Sequence, residues 1–156
     1  MVKFALASDH AGFSLKETVK KILDSENIPY QDYGTDSDSS VDYPDYAKKA
    51  IQAILEGRAE QGILVCGSGV GMSMVANRYP GIRAALVAEP QAAEMTRRHN
   101  NANVLVLPGW VFEPKKIEQI IDAWRRTKFE GGRHQRRLDK ITAIEQEILA
   151  GHSKGE

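Results

Sequence analysis

The sequence predicts a single-domain, doubly wound α/β protein, with a parallel sheet of about five strands, flanking helices and an added C-terminal helix. Three observations carry this expectation. Short β-rich runs alternate with helical stretches along the chain. At least one run, Ile63-Leu64-Val65-Cys66, is continuously apolar, as strands buried on both faces are. Glycine or proline punctuates many of the junctions.

Lys3 to Ser8 reads as the first strand, ended by Asp9-His10-Ala11-Gly12. Phe13 to Ser25 then sets Leu15, Val19, Ile22 and Leu23 on one helical face. Ile28 to Tyr33 is a weaker strand closed by Gly34, and a polar loop rich in Ser and Asp follows from Thr35 to Tyr43. Pro44 suits the first turn of a helix that runs to Glu56, where Gly57 stops it. Gly62 to Cys66 is the third strand and leads directly into Gly67-Ser68-Gly69-Val70-Gly71, after which a helix runs to about Arg78. Ile82 to Ala88 is a fourth strand, Pro90 to His99 a helix, Asn103 to Leu107 a fifth strand, and Pro114 to Thr127 another helix. Strands joined by crossover helices imply a parallel sheet covered on both faces, wound right-handedly into a Rossmann-like sandwich.

The C-terminal part departs from this rhythm. Phe129-Glu130-Gly131-Gly132 breaks the helix, Arg133 to Arg137 is strongly basic, and Leu138 to Leu149 resumes helical spacing. Leu138, Ile141, Ile144 and Ile148 share one side of it, and either a second subunit or the chain's own domain could cover that stripe. Residues 1–149 are expected to form the domain and 150–156 a disordered tail.

Bulk properties exclude several classes. Lys plus Arg equals Asp plus Glu, so the zero formal charge gives no general attraction to nucleic acid or anionic membrane. The single cysteine permits no internal disulfide and no cysteine-rich zinc site, and it suits a reducing compartment. No apolar run approaches the ~20 residues of a membrane-spanning helix. Asp9 and His10 interrupt the N-terminus too early for a signal peptide, so a cytoplasmic protein is expected. No helix carries a His-x-x-x-His or similar metal-ligand spacing, and no metal is expected.

In open α/β sheets, ligands bind beyond the carboxyl ends of the strands. Three polar groups are assigned there: Asp9-His10, Cys66 to Gly71, and His99-Asn100 before the fifth strand. Gly67-Ser68-Gly69-Val70-Gly71 lets backbone amides approach a phosphate or a developing oxyanion. It matches neither a Walker loop nor a dinucleotide fingerprint, and a plain tight turn is the alternative reading. Cys66 is either a small buried hydrophobe or a thiol activated by the helix start behind it, serving as nucleophile or base. His99, next to Arg97 and Arg98, suits a helix C-terminus on dipole grounds alone. The Arg133 to Arg137 cluster is a solvated basic face, a weaker nucleic-acid contact, or a source of two guanidinium groups for phosphate.

At these residues the chain resembles ribose-5-phosphate isomerases of type B and the subunits of galactose-6-phosphate isomerase. The matching stretches are Ser8 to Gly12, Asp42-Tyr43-Pro44, Cys66 to Gly71, Ala76-Asn77-Arg78, Arg98-His99-Asn100 with Asn103-Val104-Leu105, and Glu130 to His134, in the family's order. The resemblance implies an aldose–ketose interconversion through a cis-enediolate, with no cofactor and no metal. It implies Cys66 as the base that moves a proton between C2 and C1, with Ser68 and the amides of Gly67, Gly69, Val70 and Gly71 holding the oxyanion. His99 would open the furanose ring, Asp9 would orient hydroxyls, and Asn100 would bind substrate. His10, Arg133 and Arg137 would gather the phosphate, and Tyr43 would line the pocket. The family's sites are shared between subunits of a dimer or tetramer, so a homo-oligomer is expected. Where part of the family carries a glutamate base this chain has Met72, which places it in the cysteine branch. Competing readings are a 6-phosphohexose isomerase, a non-catalytic phosphate-binding module, and a thiol-redox protein lacking its resolving cysteine.

Overall fold

Five parallel strands lie side by side in the order β2-β1-β3-β5-β4 in a computed structural model that describes residues 1–111 and 113–153. The strands are β1 (Val2–Ser8), β2 (Tyr30–Asp32), β3 (Ala59–Cys66), β4 (Ala84–Leu86) and β5 (Val104–Pro108). The helices are α1 (Phe13–Ser25), α2 (Tyr43–Leu55), α3 (Val70–Ala76), α4 (Pro90–Asn100), α5 (Pro114–Arg126) and α6 (Arg133–Ser153). This is the expected α/β sheet with a C-terminal helix.

The two faces of the sheet are chemically unlike. Phe4, Leu6, Ile63, Val65, Leu105 and Leu107 point to one side and pack on α1, α4 and α5, where Trp124 is buried. Ala5, Ala7, Leu64, Cys66, Val104 and Val106 point to the other, toward α2 and α3. The alanines of β1 meet Ala47, Ala50 and Ala53 of α2, so that helix can sit close to the sheet. Prolines open α2, α4 and α5, as their fixed φ favours. Asn101 closes α4 with a φ of 44°.

Differences from the sequence reading have local causes. β2 and β4 are three-residue edge strands, shorter than expected, because each pairs on one side only. β3 begins at Ala59 rather than Gly62, since Val2 pairs with Ala59 and Lys3 reaches Glu60 at 2.7 Å. The last helix begins before Leu138, where its apolar spacing starts: the basic run 133–137 forms the first turns of α6, entered through Gly131 and Gly132 with φ of 73° and 56°. Of the α6 stripe only Leu138 is buried, while Ile141, Ile144 and Ile148 are exposed. The tail expected from residue 150 starts within α6, which continues to Ser153, and 154–156 lie outside the described residues.

Candidate functional site

The carboxyl edge of the sheet carries the first group of expected residues. β1 ends at Ser8, paired with Val65, and β3 ends at Cys66, paired with Pro108 of β5. The loops beyond them interlock. The Asp9 amide donates to Val65 O at 3.2 Å, and Gly109 N–H donates to the carbonyls of Cys66 at 2.7 Å and Gly67 at 2.9 Å. A Cβ on Gly12 would meet the Val65 carbonyl at 2.5 Å, which explains why glycine stands there. Gly69 adopts a φ of 77° at the start of α3, so a side chain at that position is strained, and its Cβ would push against the end of the Leu86 side chain.

Around Cys66 the polar groups converge. The thiol is buried, at 4% exposure. Burial pushes its pKa up, whereas the amides of Met72, Gly69 and Gly71 pull it down and the Asp9 carboxylate pushes it further up. The net direction is upward, which corrects the expectation that the helix start alone would favour the thiolate. Burial is the largest influence and outweighs the pull of the amides at the start of α3. Asp9 is buried and accepts from the Gly12 amide at 2.9 Å. Ser68 Oγ accepts from Val70 N–H at 3.2 Å, which leaves its own O–H available to donate. His10 Nδ1 accepts from Val41 N–H at 3.1 Å, so its other nitrogen carries the proton. Tyr43 lies against Gly71, where a Cβ would come within 2.7 Å of its ring. Asp9, His10, Tyr43, Cys66 and the loop to Gly71 therefore form one cluster.

His99, Asn100, Arg133 and Arg137 form a second cluster at the other end of the molecule. α4 runs antiparallel to the strands, so its last turn lies at their amino edge, next to the start of β5. The register puts Val104 opposite Gly62 and Pro108 opposite Cys66. At ~3.3 Å per residue, these two edges are roughly 13 Å apart. The expectation that His99 and Asn100 sit beyond the carboxyl ends of the same sheet is thereby corrected.

His99 stacks on His134 with ring centroids 4.4 Å apart and 15° between planes. His134, not singled out from sequence, is 4% exposed, and its Nε2 has no hydrogen-bond partner. Burial pushes the His134 pKa down, and the charges of His99, Arg133 and Arg137 act the same way against Glu130. Among the described residues, His99, Glu130 and His134 are the candidate metal-ligand group, with one donor atom from each within 4.8 Å of the others. The Glu130-x-x-x-His134 spacing was visible in sequence, but its third member stands 31 positions upstream of Glu130, and only the fold brings it close.

The model of a family described as Ribose/Galactose Isomerase matches residues 4–141. The chain belongs to the ribose/galactose isomerase family. Ribose-5-phosphate isomerase B of Escherichia coli is 43% identical over 146 residues, covering 94% of this chain and 98% of that protein. A ribose 5-phosphate isomerase structure from Thermotoga maritima shares 55% identity at a TM-score of 0.88, covering 91% and 98% of the two chains. A family member from Mycoplasma genitalium, solved with bound ribulose-5-phosphate, shares 39% identity at a TM-score of 0.86, covering 93% and 97%. The two solved isomerases match the fold of this chain over 91% and 93% of its length. Among the described residues no helix is long and apolar enough to cross a membrane.

Proposed function

We propose that this chain interconverts ribose 5-phosphate and ribulose 5-phosphate through a cis-enediolate, in sites that two copies of the chain complete together. The observation that carries the shared site is the separation of Cys66 from His99 by the length of β5. One chain supplies Asp9, His10, Cys66 and the 67–71 loop; the other supplies His99, Asn100, Arg133 and Arg137. Exposed apolar side chains support self-association: Val70 and Met74 on α3, Leu86 on edge strand β4, and Ile141 and Ile144 on α6. Leu86 also lies beside Gly69, so this exposed apolar ground adjoins the 67–71 loop.

The chemistry follows from these groups. His99 of one chain protonates the ring oxygen while the anomeric hydroxyl releases its proton to water, so that the bond from C1 to the ring oxygen breaks and the C1 aldehyde is exposed. Cys66 of the other, as thiolate, removes the proton from C2, and electrons move toward the carbonyl oxygen to form the enediolate. The amides of Gly67, Gly69, Val70 and Gly71 and the Ser68 hydroxyl hold that oxyanion. The Cys66 thiol returns the proton to C1 while the O2 hydroxyl gives up its proton and O1 takes one, so that the C2 carbonyl and the C1 hydroxyl of the ketose form together. Asp9 orients hydroxyls and Asn100 binds the sugar. The phosphate falls to His10, Arg133 and Arg137, whose forked donors match its oxygens. Tyr43 lines the pocket over Gly71. Residues 1–149 would constitute the working unit, in a reducing, cytoplasmic setting that suits an unpaired thiol.

Turnover of ribose 5-phosphate, measured beside allose 6-phosphate and galactose 6-phosphate, tests this reading. Conversion of the pentose is the expected result. Turnover of a hexose phosphate alone would keep the mechanism and change the substrate, and turnover of none would leave a phosphate-binding module.

A further inference from the structure

We propose that His99, Glu130 and His134 form a zinc-type cation site whose occupation withdraws His99 from catalysis. Two imidazoles and one carboxylate are the donor set of zinc sites with three protein ligands and an open fourth position. The nitrogen-rich set disfavours Mg²⁺ and Ca²⁺, which prefer oxygen. Two independent observations point to a ligand. One donor atom from each residue lies within 4.8 Å of the others. The Nε2 of His134, on a side chain almost wholly buried, has no hydrogen-bond partner and lies 3.8 Å from Glu130 Oε1. Leaving such a nitrogen unsatisfied costs free energy that a metal–nitrogen bond would recover.

The fold already holds Glu130 in place. Its N–H donates to Arg98 O at 3.0 Å, tying it to the last turn of α4 next to His99. Gly131 and Gly132 then turn the chain in left-handed conformations, and the His134 amide donates back to Gly131 O at 3.1 Å. Stacked rings aim their nitrogen lone pairs in parallel, so capture requires one ring to swing out of the stack. His99, the more exposed of the two, is the one with room to move. Arg133 and Arg137 oppose a cation here, and Glu130 offsets part of that charge. A cation bound in this way occupies the imidazole that would protonate the sugar's ring oxygen. That inhibitory consequence rests on the isomerase reading; the cation binding does not.

The test uses the full chain stripped of metal with EDTA and desalted. Zn²⁺ alone is titrated calorimetrically, Co²⁺ is followed by its visible absorption, and turnover is measured with and without Zn²⁺. The expected result is one Zn²⁺ per chain and the intense colour of tetrahedral Co²⁺. Glu130→Gln should keep metal-free turnover and weaken both Zn²⁺ binding and Zn²⁺ inhibition by about tenfold or more. His134→Gln, checked for folding by circular dichroism, should lose the cobalt spectrum; if it does not fold, Glu130→Gln decides. Absence of Zn²⁺ binding, or wild-type binding in Glu130→Gln, would overturn the site. Binding without inhibition of an active enzyme would overturn its inhibitory role. Zn²⁺ binding by a chain whose metal-free form turns over no sugar phosphate would keep the site and sink the isomerase reading instead.

Discussion

Cys66 and His99 mark opposite edges of one sheet: Cys66 pairs with Pro108 at the end of β5, and His99 closes the helix that feeds its start at Val104. In the proposed mechanism the thiol transfers a proton and the imidazole opens the ring of one small sugar. Within a single chain they are too far apart to do so.

Cys66→Ala should reduce turnover by about 10³-fold while sugar-phosphate binding survives, since removal of a general base typically costs 10²–10⁴. Steady-state rates together with calorimetric binding of ribose 5-phosphate would check this. Normal turnover in the variant would remove Cys66 from the mechanism.

The pH dependence follows from the buried thiol. Its pKa lies above the ordinary value, so the fraction present as thiolate grows as pH rises through and above neutrality. kcat/KM should therefore climb with pH on its acid limb, and alkylation of Cys66 should follow the same curve. Asp9 contributes to the upward shift, so Asp9→Asn should move the alkylation curve to lower pH even as turnover falls. A curve unmoved or moved to higher pH would contradict the assigned electrostatics.

Much of this arrangement was legible in the sequence, because strand ends followed by glycines are local signals. The Cys66 to Gly71 loop, the Asp9-His10 pair and the order of elements needed only hydrophobic pattern and turn chemistry. The position of His99 is not a local signal, because helix direction decides it: a helix returning across a parallel sheet delivers its last turn to the amino edge. The thiol's balance was illegible for another reason. The amides near Cys66 could be read from the glycines, but the burial that outweighs them depends on β1, α2 and α3 closing over the sulfur. His134 carries no local signal, because its stacking partner His99 lies 35 positions away in sequence.

Lys16 shows the same limit and offers a stability test. It is 1% exposed, and its Nζ bonds Asp32 Oδ1 at 2.6 Å and Thr35 O at 2.5 Å. Burial pushes the Asp32 carboxyl up, yet hydrogen bonds from Lys16, the Gly34 amide and Lys20 outweigh it and hold the pKa below the usual range. Lys16→Met should lower stability by about 2 kcal/mol in urea unfolding, the scale of a lost hydrogen bond to a charged group. Lys20, 3.1 Å from Asp32 Oδ2, limits the loss.

His134 gives a signature in the acid range. Its folded pKa lies below its unfolded value near 6.5, so the unfolded chain binds more protons in that window. Stability should fall as pH drops below about 6.5. In His134→Gln that part of the acid loss should disappear, which thermal unfolding across pH would detect.

The most direct test of the shared site mixes two inactive chains. Cys66→Ala and His99→Asn should each be nearly inactive alone. Unfolded together and refolded, they form hybrid pairs in which one of two sites receives both native groups. If half the pairs are hybrid, about a quarter of wild-type turnover should return. Recovery near that level would establish that Cys66 and His99 meet across two chains, and a mixture as inactive as its parents would contradict it.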